Sequence, residues 1–312
     1  MMSSVFLVLK CFVFFFIGEY ALQPVLGAIW PYSKQVYASL SRKEQKQWGP
    51  RLVTVLHALV SCAIAAPVYL APDATISAAA GGDPVFGFSP RAQRAYAFSC
   101  AFFIWDAMVC LRDRWGFGFV CHAVACTFCY AAGMQPFLHH IGCFFLLYEA
   151  STPFLHLRWF MRVAGRGESA AYVRVSQAFA AAFGFVRIVL GLPISAAWWT
   201  RMVPLLGSSA GAARLAEHGI SPVAVVLYLA CNIILNFLNI AWFKKIAVAA
   251  LGGDATPVNQ AGEKPASIAS SADGRAGRDA AASAAGAAGR RSTVRNRQHV
   301  SDGACAPGGS ML

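Results

Sequence analysis

The sequence predicts an all-α membrane protein with about seven transmembrane helices. Three observations predict it. Of 312 residues, 57% are hydrophobic and only 13% charged, against about 25% charged in a soluble domain. Mean hydropathy is +0.53. Apolar stretches recur along the chain, and the segments joining them alternate between rich and poor in Lys and Arg.

At about 1.5 Å per residue, each stretch covers or nearly covers roughly 30 Å of hydrocarbon. The spans are read at about 5–30, 52–71, 92–111, 115–133, 137–155, 172–198 and 220–243. The first is too long for a cleavable signal peptide, contains Glu19 and lacks a small-residue cleavage site. Gln23-Pro24 is expected to kink it or end it early. The second follows a loop, 31–51, that carries Lys34, Arg42, Lys43, Lys46 and Arg51. Arg112 and Arg114 mark a turn between the third and fourth. The fifth contains His139-His140 and several polar residues, so a broken or re-entrant segment over 134–155 stays open beside a plain helix. Near its end, Ser151 and Thr152 can cap backbone groups and Pro153 removes a donor. Arg158 and Trp159 suit an interfacial anchor. The sixth span follows a loop, 156–171, with Arg158, Arg162 and Arg166, and the seventh ends in Lys244-Lys245.

Loops 72–91 and 199–219 are poorer in Lys and Arg. The alternation gives a lumenal N-terminus and a cytosolic C-terminus. Residues 246–312, dominated by Ala, Gly, Ser, Arg and Pro, cannot bury a core and are expected to form a disordered cytosolic tail.

The net charge of +12 belongs to topology and to anionic lipid headgroups; no nucleic-acid motif accompanies it. Nine of the ten cysteines fall in apolar runs, where thiols behave as small hydrophobes. Cys126-x-x-Cys129 lacks a second ligand pair, so no metal site and no disulfide framework is expected.

Asp106, His122, Glu149 and Arg187 lie inside apolar stretches. A charge at mid-bilayer costs about 3 kcal/mol on insertion scales, so such residues normally face an interior cavity. By residue count, His57, Asp106, His122 and Glu149 share one layer about 7–11 Å below the cytosolic surface. Asn236 and Asn239 enter that layer from the last span, and Arg187 is deeper. The pattern predicts a polar cavity open toward the cytosol. Two chemical readings follow. A His beside a carboxylate can shuttle protons for acyl transfer, or the cluster can bind a lipid headgroup without chemistry. Polar residues that merely hold helices together are the structural alternative.

Several runs occur in an order that resembles the TLC-domain family, which includes ceramide synthases and the translocon-associated TRAM proteins. They are Trp48-Gly-Pro-Arg51 with His57, Asp83-Pro84, Asp106, His122, Leu146-Leu-Tyr-Glu149-Ala-Ser-Thr-Pro153-Phe with Arg158-Trp159-Phe160, Phe185-Val-Arg187, and Leu238-Asn239 with Trp242. The pattern is most similar to the TLC domain-containing protein 4 (transmembrane protein 56) subfamily. The resemblance implies three segments: an N-terminal helix and basic loop over 1–47, a six-span TLC bundle around a polar cavity over 48–245, and the tail. It implies a role in lipid homeostasis in the endoplasmic reticulum or another endomembrane, with phospholipid, sphingolipid or fatty acyl chains as partners.

In ceramide synthases a His-His pair is catalytic; here it reads Cys121-His122, and the longer Asp-rich motif is absent. The resemblance therefore implies His122, Asp106 and Glu149 as candidate catalytic residues. Lining of the cavity is expected from His57, Cys121, Ser151, Thr152, Arg187, Asn236 and Asn239. No cofactor is expected; acyl-CoA enters only as the substrate of the acyltransferase alternative. A trafficking or structural partner is the third reading.

Overall fold

The computed structural model describes residues 2–251; the expected tail from residue 252 onward, with Arg290, Arg291 and Arg297, lies outside them. Every element among the described residues is helical. Helix α1 (Met2–Ile29) is followed by α2 (Pro31–Ser39) and α3 (Arg42–Leu70). After a loop come α4 (Pro90–Arg112) and α5 (Phe117–Ala132). Next, α6 (His139–Leu146) runs through a 3-10 turn, Leu147–Ser151, into α7 (Thr152–Met161). Helix α8 (Ala170–Phe183) leads through a π turn, Gly184–Val189, into α9 (Gly191–Gly207), followed by α10 (Ser209–Glu217) and α11 (Pro222–Leu251).

Several expected boundaries move. Pro24 does not end α1, which continues to Ile29. Most of the expected basic loop 31–51 is helical, because α3 begins at Arg42. Its start is fixed by a capping box: the Ser41 hydroxyl accepts from the Glu44 amide at 3.3 Å, and the Glu44 carboxylate accepts from the Ser41 amide at 2.9 Å. The 199–219 loop is also helical, through the end of α9 and all of α10. Residues 246–251, assigned to the tail, extend α11.

Five helical stretches are long and apolar enough to cross a bilayer: 4–29, 42–70, 90–112, 170–207 and 222–250. The expected count of seven is therefore not reached on these terms. Helix α5 has 16 residues, about 24 Å, and the fifth expected span is divided by its 3-10 turn. That divided segment keeps one direction along α3. His140 Nε2 lies 3.2 Å from the Tyr69 carbonyl, Cys62 Sγ 3.8 Å from the Leu146 carbonyl, and Arg51 Nη1 3.3 Å from His156 Nδ1. As its residue numbers rise, those of its α3 partners fall, so it runs antiparallel to α3 over 69–51, about 27 Å.

Helix α1 is packed into the same core as the other helices. Its fully buried Phe15 meets His57, Phe102 and Trp105. Glu19 accepts from Trp105 Nε1 at 3.2 Å and pairs with Arg112 at 2.7 Å. Gly49 permits the close crossing, since a Cβ there would lie 2.0 Å from the Glu19 carbonyl oxygen. Outward faces stay apolar: Val5, Phe6, Phe14 and Ile17 on α1 and Ile233 and Phe237 on α11 are exposed. Contiguous exposed apolar surface of this extent belongs against lipid.

Polar networks lock both ends of the bundle. At the basic end, buried Arg51 lies over the rings of Trp159 (4.4 Å) and Trp115 (5.5 Å), while Trp48 packs on Trp159 and Phe160. Trp159 is thus a core residue instead of the expected interfacial anchor. Arg158 pins α7 to α8 through Ser176 at 2.9 Å. At the other end, His139 Nδ1 accepts from the Ser89 amide at 3.0 Å and its Nε2 donates to the Gly133 and Gln135 carbonyls at 3.0 and 2.9 Å. Carbonyls cannot donate, so His139 is neutral and protonated at Nε2.

Candidate polar cavity between α5, the broken helix and α11

Local backbone irregularities build the site. Pro153 has no amide hydrogen, and its ring disfavours a regular turn over residue 149. The chain tightens into the 3-10 turn Leu147–Ser151, and the Thr152 amide bonds the Glu149 carbonyl in place of Tyr148. The Tyr148 carbonyl then serves the i to i+3 pattern of the 3-10 turn and not the Thr152 amide. It accepts from Ser151 Oγ at 3.1 Å and from Arg187 Nη2 at 3.0 Å.

Arg187 sits on the π turn, a one-residue insertion that such sites often use to re-aim a side chain. Its Nη1 donates to Asn239 Oδ1 at 3.0 Å, and its Nη2 lies 3.6 Å from Glu149 Oε1. The guanidinium also lies over the rings of Phe183 (5.0 Å) and Tyr148 (5.4 Å). Both ends of the ion pair are buried. The Thr152 side chain lies beside Glu149. Close approach is needed here: a Cβ on Gly191 would fall 2.1 Å from the Tyr148 hydroxyl, and one on Gly184 2.8 Å from Phe243.

A second network lies beside the pair. Asn232 Oδ1 accepts from Ser195 Oγ and Trp199 Nε1, both at 2.8 Å, and from Asn236 Nδ2 at 3.0 Å. Asn236 Nδ2 also donates to Ser195 Oγ at 2.8 Å. Asn232, Asn236 and Asn239 share one face of α11 by helical spacing.

These groups enclose a cavity of about 50 Å3 whose lining includes His122, Glu149, Arg187, Asn232, Asn236 and Asn239. A water needs about 10–15 Å3 by this measure. The volume holds a few waters and lies far below the roughly 300–1,000 Å3 of small-molecule sites. An acyl-chain-sized chamber is not present in this conformation.

The expected residues divide. His122, Glu149, Arg187, Asn236 and Asn239 come together around the cavity. His57 does not. It is fully buried among α1, α3 and α4, stacked on Phe102 at 3.7 Å and 3.2 Å from Ser99 Oγ. Phe103, 5.5 Å from the His57 ring and 5.7 Å from that of His122, separates it from the cavity. Cys121 and Asp106 are also outside the lining, although Asp106 lies within electrostatic reach of Glu149. Ser151 and Thr152 act behind the wall, on Tyr148 and Glu149. Depth alone grouped residues that point in different directions. Among the described residues, the hydrogen-bonding neighbour of the His122 ring is Cys126 Sγ at 3.8 Å, a thiol and no carboxylate.

Sequence reasoning passed over Asn232, Tyr148 and Ser195. The four-residue step from Asn232 to Asn236 was a usable signal for the first. The Tyr148 carbonyl is a backbone acceptor with no side-chain signature.

A family model for the TLC domain matches residues 47–248. An uncharacterized TLC domain-containing protein of Schizosaccharomyces pombe is 30% identical over 215 residues, 67% of each chain. TLC domain-containing protein 4-B of Danio rerio is 28% identical over 261 residues, 79% of this chain and 88% of the relative. TLC domain-containing protein 4-A of Xenopus laevis is 30% identical over 222 residues, 68% of this chain and 78% of the relative. No solved structure matches. The order of motifs, the helical bundle and these relatives agree: the chain belongs to the TLC domain family.

Proposed function

We propose that this integral membrane protein acts in lipid homeostasis by receiving the polar group of a membrane lipid at the Arg187–Glu149 cavity. The observation that carries the reading is a buried, internally neutralised ion pair ringed by three asparagines in a small cavity. Such a site suits a neutral or zwitterionic group that exchanges hydrogen bonds with the amides. The hydrocarbon chain stays outside, reached past the half-buried Phe145 and Leu235 of the lining. Family membership supports lipid metabolism as the setting; the family resemblance favours the endoplasmic reticulum or another endomembrane, and the charge alternation of the connections favours a lumenal N-terminus.

Native mass spectrometry of the detergent-purified full-length protein tests this. Wild type should retain lipid, and a Glu149→Gln/Arg187→Met double variant, which removes both charges of the pair, should lose it while staying folded. Equal retention in both, together with an unchanged cellular lipidome after deletion, would exclude the reading.

A second reading, acyl transfer from acyl-CoA to a sphingoid base, is favoured by one fact: His122 and Glu149 line the same cavity. His122 would act as the base, with Glu149 or Asp106 as its carboxylate. Product formation by purified protein is the measurement, and full turnover by His122→Ala removes His122 from that role.

A further inference from the structure

A second, larger concavity lies away from the Arg187–Glu149 cavity. The loop Gly81–Val85, the end of α9 (Thr200–Leu205) and Arg214 of α10 surround a cleft of about 580 Å3. That volume is within the roughly 300–1,000 Å3 of small-molecule sites.

Its loop wall is rigid. The Asp83 amide donates to the Thr75 carbonyl at 3.0 Å, Gly87 to the Asp83 carbonyl at 2.8 Å, and Leu138 to the Val85 carbonyl at 2.7 Å. Gly82 is wedged inside, where a Cβ would lie 2.0 Å from the Ala74 carbonyl oxygen. Buried Val85 and Leu205 contribute apolar surface.

The charges are unequal. Asp83 is fully committed: Oδ1 accepts the Val85 and Phe86 amides at 2.8 and 3.1 Å, and Oδ2 takes Arg214 at 2.5 Å. Burial opposes its ionisation, but the two amides and Arg214 outweigh that and hold the carboxyl below the usual carboxylate range. Arg214 is further fixed over the Phe86 ring at 5.0 Å and uses only one terminal nitrogen on Asp83. Arg201, by contrast, is exposed at the cleft and among the described residues has no hydrogen bond, ion pair or ring contact. The cleft therefore carries one uncompensated positive charge and spare guanidinium donors.

The stretch Ala170–Gly207 that presents Arg201 has 38 residues, well beyond the roughly 20 that cross the hydrocarbon. Its last turns, and the cleft, thus reach the headgroup level or beyond. The geometry points to a phosphate-ester site here: Arg201 binds the phosphate oxygens, Arg214 completes the fork, and Val85 and Leu205 receive the adjoining apolar portion. Guanidinium forks match phosphate geometry. The phosphate can belong to an anionic lipid headgroup or to a soluble phosphate ester.

Full-length protein in detergent is titrated with short-chain phosphatidylglycerol and, separately, with glycerol 3-phosphate, and binding is read by native mass spectrometry. Arg201→Gln should weaken binding about tenfold, the loss of one charge-assisted contact. Arg201→Lys should recover part of it, and Arg174→Gln, a charge loss on exposed α8 surface, should change nothing. Arg201-dependent binding of the lipid alone identifies a headgroup; equal Arg201-dependent binding of glycerol 3-phosphate identifies a soluble ester. Binding that ignores Arg201, or that falls equally in Arg174→Gln, overturns the site. The Glu149→Gln/Arg187→Met variant should bind these probes normally, so the two sites succeed or fail separately.

Discussion

Arg187 ties its π turn to two other elements: the 3-10 turn, through the Tyr148 carbonyl and Glu149 as counter-ion, and α11 through Asn239. Removing one partner of a buried ion pair leaves the other uncompensated and costs about 3–5 kcal/mol. Arg187→Met should accordingly lower the melting temperature of the detergent-purified protein steeply. The Glu149→Gln/Arg187→Met variant should recover much of the loss, since both charges then go. Simple addition of the two single losses in thermal melts would show that the pair is not coupled. His57 gives the opposite expectation. It is stacked on Phe102 outside the cavity, so His57→Phe should cost roughly 1–3 kcal/mol, mainly through the Ser99 hydroxyl it strands, and lipid retention should be unchanged. Lost retention in a folded His57→Phe protein would return His57 to the site.

At the scale of elements, the sequence announced the helices by apolar length and the distinctive Glu149–Phe154 run by composition. It did not announce the direction of each side chain. His57 and His122 sit at similar expected depths, yet the rotation of α3 sends one toward α1 and the other faces the cavity. At Pro153, which removes a donor, the helix breaks into a 3-10 turn, and Arg187 uses the Tyr148 carbonyl of that turn as a further acceptor. Pro153→Ala should let the Thr152 amide return to Tyr148. Hydrogen exchange over 148–153 should slow as the turn regularises; unchanged exchange would refute this account. The loop before α4 offers a pH test. Ser89 and Arg91 bond Asp73 and hold its carboxyl below its ordinary value. A depressed carboxyl stabilises the fold above its unfolded value of about 3.9, and that contribution is lost as pH falls through the lower folded value. Exchange over 72–91 should rise on acidification below about pH 4, and Asp73→Asn should show the faster exchange already at neutral pH.

For the molecule as a whole, the two ends of the bundle differ in chemistry. One gathers Arg51, Arg112, Arg158 and Arg162 with the tryptophans Trp48, Trp115 and Trp159. The other holds the His139 network and the Asp83–Arg214 loop. Because α3 and the α6–α7 segment run antiparallel along each other, 42–51 and 156–166 fall at the same end, as the alternation of basic connections requires. The inside-positive tendency predicts that this end faces the cytosol. Fluorescence protease protection in permeabilised cells should find a C-terminal reporter digested and an N-terminal reporter protected. An acceptor site for N-glycosylation inserted in the exposed Gly81 turn should be modified, whereas the same insertion at Gly165 should not. The reverse pattern would invert the orientation. It would also turn the Arg201 cleft toward the cytosol, where soluble phosphate esters and acyl-CoA are its nearest candidates.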